Sequence, residues 1–315
     1  MLITRHADAA AVLADPRYVP PPVAQDAPEG TLAWLRARVS RFSTGATHAE
    51  RRRDLVALLD GIDPAGLRAD ARDLTRRRGG DWRGVPTAVL GAALGVEDTS
   101  PMADTAASTA ANTAADTVVG AVADAAAGYL SGPGGPGDPD GSIADAAVAK
   151  LLATAGIPAI TLLLQAHTAT ETLIEHALRH RAPGQDVDAL LHETLRHDPP
   201  LAVTRRVDTL TGNEVTIDLV CANRDPSVFP DPDRFDRHRR HSSHPEDSPH
   251  GGDFPRPEDA PHPEDSPHPE DSPHPEDSPH PEGSSHLTFG YGVRPCPGPA
   301  HALALAAGVL EGLVP

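Results

Sequence analysis

The chain has few aromatic residues, few cysteines and no long uninterrupted apolar run. Aromatic residues make up only 3% of its 315 residues, so a buried pocket would be lined mainly by Ala, Val and Leu. Two cysteines cannot staple a small disulfide scaffold, and we expect Cys221 to be a buried free thiol rather than a partner of Cys296. No signal-peptide pattern and no bilayer-length apolar segment is present, so we expect neither secretion nor a membrane anchor.

The net charge of −18 and the lack of a basic aromatic surface argue against nucleic-acid binding. Much of that charge lies in residues 241–285, where the unit His-Pro-Glu-Asp-Ser-Pro recurs. Dense proline and repelling acids predict a disordered or extended insert within one domain that spans residues 1–315. A tolerated loop expansion, a modulator of partner docking and a weak collector of divalent metal all remain open for this insert.

The most specific motif is the ten-residue segment Phe289–Gly298. Pro295 and Pro297 fix φ on both sides of Cys296, and Arg294 supplies a fork for an anion. The apolar stretch from His301 to Val314 predicts a helix directly after the loop, and the local helix dipole stabilises a thiolate near its N-terminus. Such a loop is suited to presenting sulfur to a metal, whereas a merely buried cysteine does not require this arrangement of Gly, Pro and Arg.

The segment resembles the haem-binding loop of the cytochrome P450 family at every defined position of that pattern. The resemblance implies that Cys296 is the axial thiolate ligand of a haem b iron and that Arg294 pairs with a haem propionate. It also implies that Phe289 packs beside the sulfur and that Gly290 belongs to the cofactor-binding loop.

A second motif supports the resemblance. Glu193 and Arg196 lie three residues apart, hence on one face of a predicted helix that stops before Pro199, and they resemble the family's Glu-x-x-Arg pair. The later segment from Asn223 to Arg240 resembles the family's meander, in which Arg239 best fits the second arginine. We expect a structural cluster of one carboxylate and two guanidinium groups; an ordinary surface helix pair is the alternative.

Three more cations match propionate-binding positions. His48 and Arg52 are four apart, so one helix would aim both at a single anion, as in the family's His-x-x-x-Arg. A solvated basic face explains these residues as well. Arg206 lies where the family often carries a propionate-binding arginine on a strand, and Arg205 is its nearby competitor.

The stretch from Ile160 to Leu178 predicts a long apolar helix that departs from the family where dioxygen is activated. Thr168 and Ala169 stand where the family has an acid and a threonine, so proton delivery would fall to His167, Thr168, Thr170 or water. Glu171-Thr172 would supply the acid and the alcohol only if the helix were shifted by three residues relative to the family's pattern, and that shift would break the match at Leu173-Ile174. For His167 an ordinary core or surface histidine is the alternative, and for Thr170 a bond to its own helix backbone.

Taken with its length, the sequence predicts a mainly α fold with small β-sheets, a shortened cytochrome P450-like domain. The Ala-rich stretch 101–130 predicts helices that cover a substrate pocket. The resemblance implies a cytoplasmic haem-thiolate monooxygenase of secondary metabolism. It would act on a small apolar or natural-product-like molecule with dioxygen and electrons from a ferredoxin and ferredoxin reductase. The alternatives are coupling or peroxide-driven oxidation, and a non-catalytic relative that serves as a binding or recruitment module.

Overall fold

The computed structural model describes residues 1–96, 118–132, 137–239 and 286–313. Met1–Arg239 and His286–Pro315 belong to one unit. The repeat insert 241–285 lies outside the described residues, as does the first part of the Ala-rich stretch. The described part consists of α-helices with one small sheet, which confirms the predicted fold class.

The helices, in chain order, are α1 (His6–Ala14), α2 (Leu32–Arg36), α3 (Gly45–Asp60), α4 (Pro64–Arg77), α5 (Val85–Ala93), α6 (Val118–Tyr129), α7 (Ser142–Thr154), α8 (Ile157–His180), α9 (Val187–His197), α10 (Leu219–Ala222) and α11 (Pro299–Gly312). A 3₁₀ turn spans Ser40–Phe42. Several helix starts follow from local sequence. Asp63 and Asp186 accept hydrogen bonds from the first free N–H groups of α4 and α9. Prolines occupy the first turns of α8 and α11.

The long helix α8 confirms the prediction made from Ile160 to Leu178 and is slightly longer at both ends. It packs against α3, α5, α6, α9 and α11, and most of its buried apolar residues belong to the main hydrophobic core. The last helix, α11, packs closely on α4. A Cβ at Gly308 would overlap the carbonyl oxygen of Arg68, so only glycine allows this approach.

The sheet contains four strands in the order β1 (Leu2–Ile3), β4 (Glu214–Asp218), β3 (Val203–Asp208) and β2 (Tyr18–Val19). β1 pairs with β4 in parallel, and β3 pairs antiparallel with both β4 and β2. Arg206 pairs with Val215 in the β3–β4 register, and this pairing places the predicted propionate arginine on a strand. Among the described helices, none combines the length and apolar character needed to cross a bilayer.

Candidate functional site

The loop before α11 holds Cys296 through its own backbone. The Cys296 N–H donates to the carbonyl oxygen of Phe289 at 2.6 Å, which closes the loop on itself. Gly292 has φ +61°, and a Cβ there would overlap the backbone of Ala14 in α1. The glycine therefore lets the loop lie directly against the N-terminal helix.

Burial raises the pKa of the Cys296 thiol, while the Gly298 backbone N–H and the charges of Arg52 and Arg41 lower it. Because burial is the largest of these effects, the protein alone favours the protonated thiol. A coordinated metal cation reverses this preference, since a coordinating thiol is deprotonated outright. No group of three or more His, Cys, Asp or Glu side chains in the described part of the chain is arranged to hold a metal ion. A single cysteine thiolate is one of the protein ligands that can hold haem iron.

His48, Arg52, Arg206 and Arg294, the four predicted cations, form a group that we call the cation cluster. Arg294 lies 3.5 Å from His48 Nδ1 and donates to the Ser43 carbonyl at 2.7 Å. Arg52 donates to the carbonyl of Pro295, next to Cys296, also at 2.7 Å. Arg206 belongs to the same neighbourhood, because the charge of Arg294 helps to lower the pKa of Arg206.

The cation cluster holds positive charge that no described residue neutralises. Burial, followed by the charges of Arg41 and Arg294, lowers the pKa of Arg206 to about 10. The pKa values of Arg294 and His48 are lowered by burial first and then by neighbouring guanidinium groups. Across the described residues, no carboxylate pairs with any member of the cluster.

One nitrogen of the cluster is also left unused. His48 Nδ1 lies 3.0 Å from the Ser40 carbonyl, whereas its Nε2 is buried and has no hydrogen-bond partner among the residues that the structure describes. Unpaired cations and an orphaned imidazole nitrogen beside a cysteine loop are suited to a bound group that carries carboxylates. The residues present therefore fit haem, which has two propionates. Arg41, which acts on both Arg206 and Cys296, was not singled out by the sequence because no motif spacing includes it.

The predicted Glu193–Arg196–Arg239 cluster is confirmed. Arg196 and Glu193 form a bidentate pair with distances of 2.7 and 2.8 Å, and both side chains are almost completely buried. Arg239 approaches Glu193 at 3.4 Å. The remaining Arg196 donors bond to the carbonyls of Asn223, Pro232 and Arg234. The cluster thus fastens α9 to the segment that follows α10.

On α8 the three predicted distal residues have different surroundings. His167 Nδ1 lies 2.8 Å from the Thr87 hydroxyl of α5, and burial lowers the pKa of His167 while Glu171 opposes this shift. Thr168 is exposed. The Thr170 hydroxyl is buried and has no hydrogen-bond partner in the described part of the chain, which includes all of α8, so the alternative that it bonds its own helix backbone is wrong.

Glu171 links α8 to the start of α5 through hydrogen bonds. Its carboxylate accepts from the Gly84 N–H at 2.8 Å and from Arg83 at 3.4 Å. These bonds hold the start of α5 against α8, so Glu171 already has a structural task. The shifted register that would make Glu171-Thr172 an acid–alcohol pair has no support in this geometry.

Cys221 is exposed, so the expectation of a buried thiol is wrong. It lies in the short helix α10, where Leu219 and Ala222 take the buried positions. Asp218 caps this helix by accepting a hydrogen bond from the Cys221 N–H.

No protein-family model matches the chain. A curated relative, cyclomarin C epoxidase CymV of Salinispora arenicola, is 37% identical over 103 residues, which cover 29% of this chain and 26% of that protein. The match therefore spans about a quarter of the relative's length.

Solved structures match over nearly the whole chain. P450BioI in complex with an acyl carrier protein carrying hexadec-9Z-enoic acid gives a TM-score of 0.64 at 16% identity, covering 98% of this chain and 84% of that one. CxnD, a cytochrome P450 enzyme for C–S bond formation in chuangxinmycin biosynthesis, gives 0.59 at 15% identity over 98% and 78%. The P450 haem domain of Tepidiphilus thermophilus gives 0.56 at 18% identity over 99% and 81%.

Proposed function

We propose that this chain, which has the cytochrome P450 fold, binds haem b through Cys296 and works as a haem-thiolate monooxygenase. One observation carries the proposal. The Cys296 loop lies beside a cation cluster that has no carboxylate partner among the described residues. Bound haem would supply an iron that activates dioxygen, with O–O cleavage favoured by the thiolate ligand.

Within this proposal the residues of the loop and the cluster bind and orient the cofactor. Arg52, Arg206, Arg294 and the free Nε2 of His48 hold the propionates. Phe289 packs beside the sulfur, and Gly290 keeps the loop close to the cofactor. The Glu193–Arg196–Arg239 cluster holds the surrounding backbone in place.

The residues of α8 are assigned to handling protons and water. His167 is partly buried and burial lowers its pKa, which favours a neutral imidazole that can both accept and donate a proton. The buried Thr170 hydroxyl has a free donor for water. Thr168, being exposed, would act through water. Electrons would come from a ferredoxin with its reductase.

The substrate is proposed to be small, mainly apolar and of the natural-product type. The low aromatic content favours an aliphatic pocket. The names of two similar proteins support oxidation in secondary metabolism, since CymV is an epoxidase and CxnD acts in a biosynthesis. The cytoplasmic location stays a prediction.

The test is the ferrous carbon monoxide difference spectrum of the full chain purified with haem supplied. A strongly red-shifted Soret band is expected, and Cys296→Ala should abolish it. Cys221→Ala is the matched control, because it removes the other cysteine and should leave the band intact. Lack of haem uptake, or a band that survives Cys296→Ala, would overturn the proposal.

A second candidate is peroxide-driven oxidation, favoured by one observation. Thr168 and Ala169 provide no acid–alcohol pair, and Glu171 is held by Gly84 and Arg83. Haem-loaded protein should then turn over a substrate faster with hydrogen peroxide than with dioxygen and a ferredoxin system. Faster turnover with the ferredoxin system would exclude this candidate. A chain that shows the red-shifted band but no turnover with either oxidant would fit the non-catalytic alternative.

A further inference from the structure

The Cys296 loop and the start of α11 are joined to α3 and its flanks by three side-chain links. Before the cysteine, Arg294 donates to the carbonyl of Ser43, which lies just ahead of α3, at 2.7 Å. Next to the cysteine, Arg52 of α3 donates to the Pro295 carbonyl, also at 2.7 Å. These two links hold the chain on the N-terminal side of Cys296.

His301 of α11 makes the third link, on the other side of the cysteine. Its Nε2 lies 3.1 Å from the carbonyl oxygen of Leu59 and 3.1 Å from that of Ile62. Leu59 belongs to the last turn of α3, and Ile62 follows that helix by two residues. Because carbonyl oxygens only accept, Nε2 carries the hydrogen and donates to both. The link therefore joins the first turn of α11 to the C-terminal end of α3.

The two Nε2 contacts orient the His301 ring. Its Nδ1 is buried and has no hydrogen-bond partner in the described part of the chain. A Cβ built on Gly298 would lie 3.7 Å from this Nδ1 and 3.0 Å from Leu59 Cδ1. Gly298, two residues after Cys296, is therefore enclosed between the His301 ring and the Leu59 side chain.

The first turn of α11 is less well anchored by packing than the rest of the helix. The body of α11 packs on α4, α5, α8 and α9, and its buried residues begin at Ala304. Residues 299–303 are partly buried or exposed. Since helices in proteins are stabilised mainly by packing of their buried face, this first turn depends more on hydrogen bonds than the rest of α11 does. The His301 bonds are therefore well placed to fix the position of the turn.

The first turn of α11 is connected to the sulfur through Gly298. The Gly298 carbonyl accepts from the Ala302 N–H at 3.1 Å, so Gly298 is held by the helix that follows it. Burial raises the pKa of the Cys296 thiol, and among the opposing effects that of the Gly298 N–H is the largest. A shift of the first turn would therefore move an N–H group that favours the thiolate.

We propose that His301 is a positioning residue for the Cys296 thiolate. By bonding the carbonyls at the end of α3 it fixes the first turn of α11 and, through Gly298, the place of the sulfur. The proposal rests on the proposed function, because the position of the sulfur matters where it ligates haem iron. Groups that orient a metal ligand commonly change metal affinity or activity when they are replaced.

The test uses the ferrous carbon monoxide complex of the haem-loaded full chain, along a urea series that stays below global unfolding. The measured quantity is the ratio of the red-shifted Soret band to the unshifted band of haem that has lost its thiolate ligand. His301→Leu removes the donor and keeps a side chain of substantial size, and it should lower this ratio about tenfold. His301→Gln keeps an amide donor of similar reach and should restore most of the ratio.

His176→Leu is the matched control. His176 is also a partly buried histidine with a ring nitrogen on a backbone carbonyl, since its Nδ1 lies 2.7 Å from the carbonyl of Asp198. It belongs to α8, outside the three links, so its loss should change global stability and leave the ratio of the two bands unchanged. If His301→Leu does not fold, His301→Gln is compared with His301→Asn, whose shorter amide should give the lower ratio.

Three results would overturn the proposal. These are an unchanged ratio in His301→Leu, a loss in His301→Gln as large as in His301→Leu, and a loss in His176→Leu of the same size. In the reserve comparison, equal ratios for His301→Gln and His301→Asn would overturn it as well. A wild type without the red-shifted band contradicts the proposed function itself, whereas a wild-type band with an unchanged ratio in His301→Leu contradicts only the role of His301.

Discussion

Two regions of the described structure gather partly or fully buried arginines, and of these two only one supplies its arginines with a carboxylate from the described residues. Around Glu193, the carboxylate accepts from both Arg196 and Arg239, and backbone carbonyls take the other Arg196 donors. In the cation cluster, Arg206 and Arg294 have backbone or hydroxyl acceptors but no carboxylate among the described residues.

The difference separates a structural site from a binding site. A buried guanidinium that is fully paired holds its neighbours in place and costs little more than its own desolvation. A half-buried cation beside other cations is destabilised by all of them, and the fold must tolerate that cost until an anion arrives. The charges around Glu193 are balanced within the folded protein, whereas the charges of the cation cluster are balanced only when an anionic ligand binds.

The largest expected effect comes from breaking the paired region. Glu193→Gln should destabilise the protein by about 3–5 kcal/mol, since it leaves the Arg196 charge, which is 0% exposed, buried without its counter-ion. Urea unfolding of the haem-free chain measures the change. Glu214→Gln, which removes the carboxylate of the exposed Arg205 ion pair, is the control and should cost at most about 1 kcal/mol. Equal losses of stability in the two variants would show that the buried Glu193 pair contributes no more to stability than an exposed ion pair.

A second substitution tests the unpaired region and should act with opposite signs in two states. Arg206→Met removes a cation whose pKa is lowered to about 10, so the haem-free protein should become more stable, by about 1 kcal/mol or more. Haem affinity should fall about tenfold, because a charged hydrogen bond to a propionate is lost. Urea unfolding and haem titration measure the two effects.

Arg205→Met is the matched control for this experiment. Arg205 is the neighbouring arginine on β3, is exposed and pairs with Glu214 at 3.7 Å. It should change neither property by a comparable amount. A loss of stability in haem-free Arg206→Met, with haem affinity unchanged, would place Arg206 among the structural arginines.

The sequence was most informative where the chemistry is local. The three-residue spacing of Glu193 and Arg196 already puts both on one face of a helix, and Pro295 and Pro297 constrain Cys296 from adjacent positions. Contacts made across the fold left no such pattern. Arg36 and Tyr129 meet at the Phe42 ring only after α6 has packed, and Glu171 accepts a hydrogen bond from Gly84, which lies at the start of α5. Cys221 was misjudged because an apolar neighbourhood in sequence does not reveal which side of a short helix faces solvent.

The smallest expected effect is the loss of stability at acid pH. It should appear in the segment after α10, which depends on a carboxylate, and not in the cation cluster. In the segment after α10, bonds from Ser227 and from the His6 N–H lower the pKa of Asp225 from its usual 3.8 to about 2. A depressed carboxyl pKa contributes stability that is fully present above the unfolded-state pKa and is lost as the pH falls towards the folded-state pKa. The stability difference between the wild type and Asp225→Asn should therefore be constant near neutral pH and shrink between about pH 4 and pH 2.

The stability difference between the wild type and Arg206→Met should stay constant over that interval, because the Arg206 pKa of about 10 lies far above it. Urea midpoints across this pH series measure both differences. If the Arg206 difference also shrinks in acid, a carboxylate accompanies the cation cluster, and the contrast between a paired and an unpaired region fails.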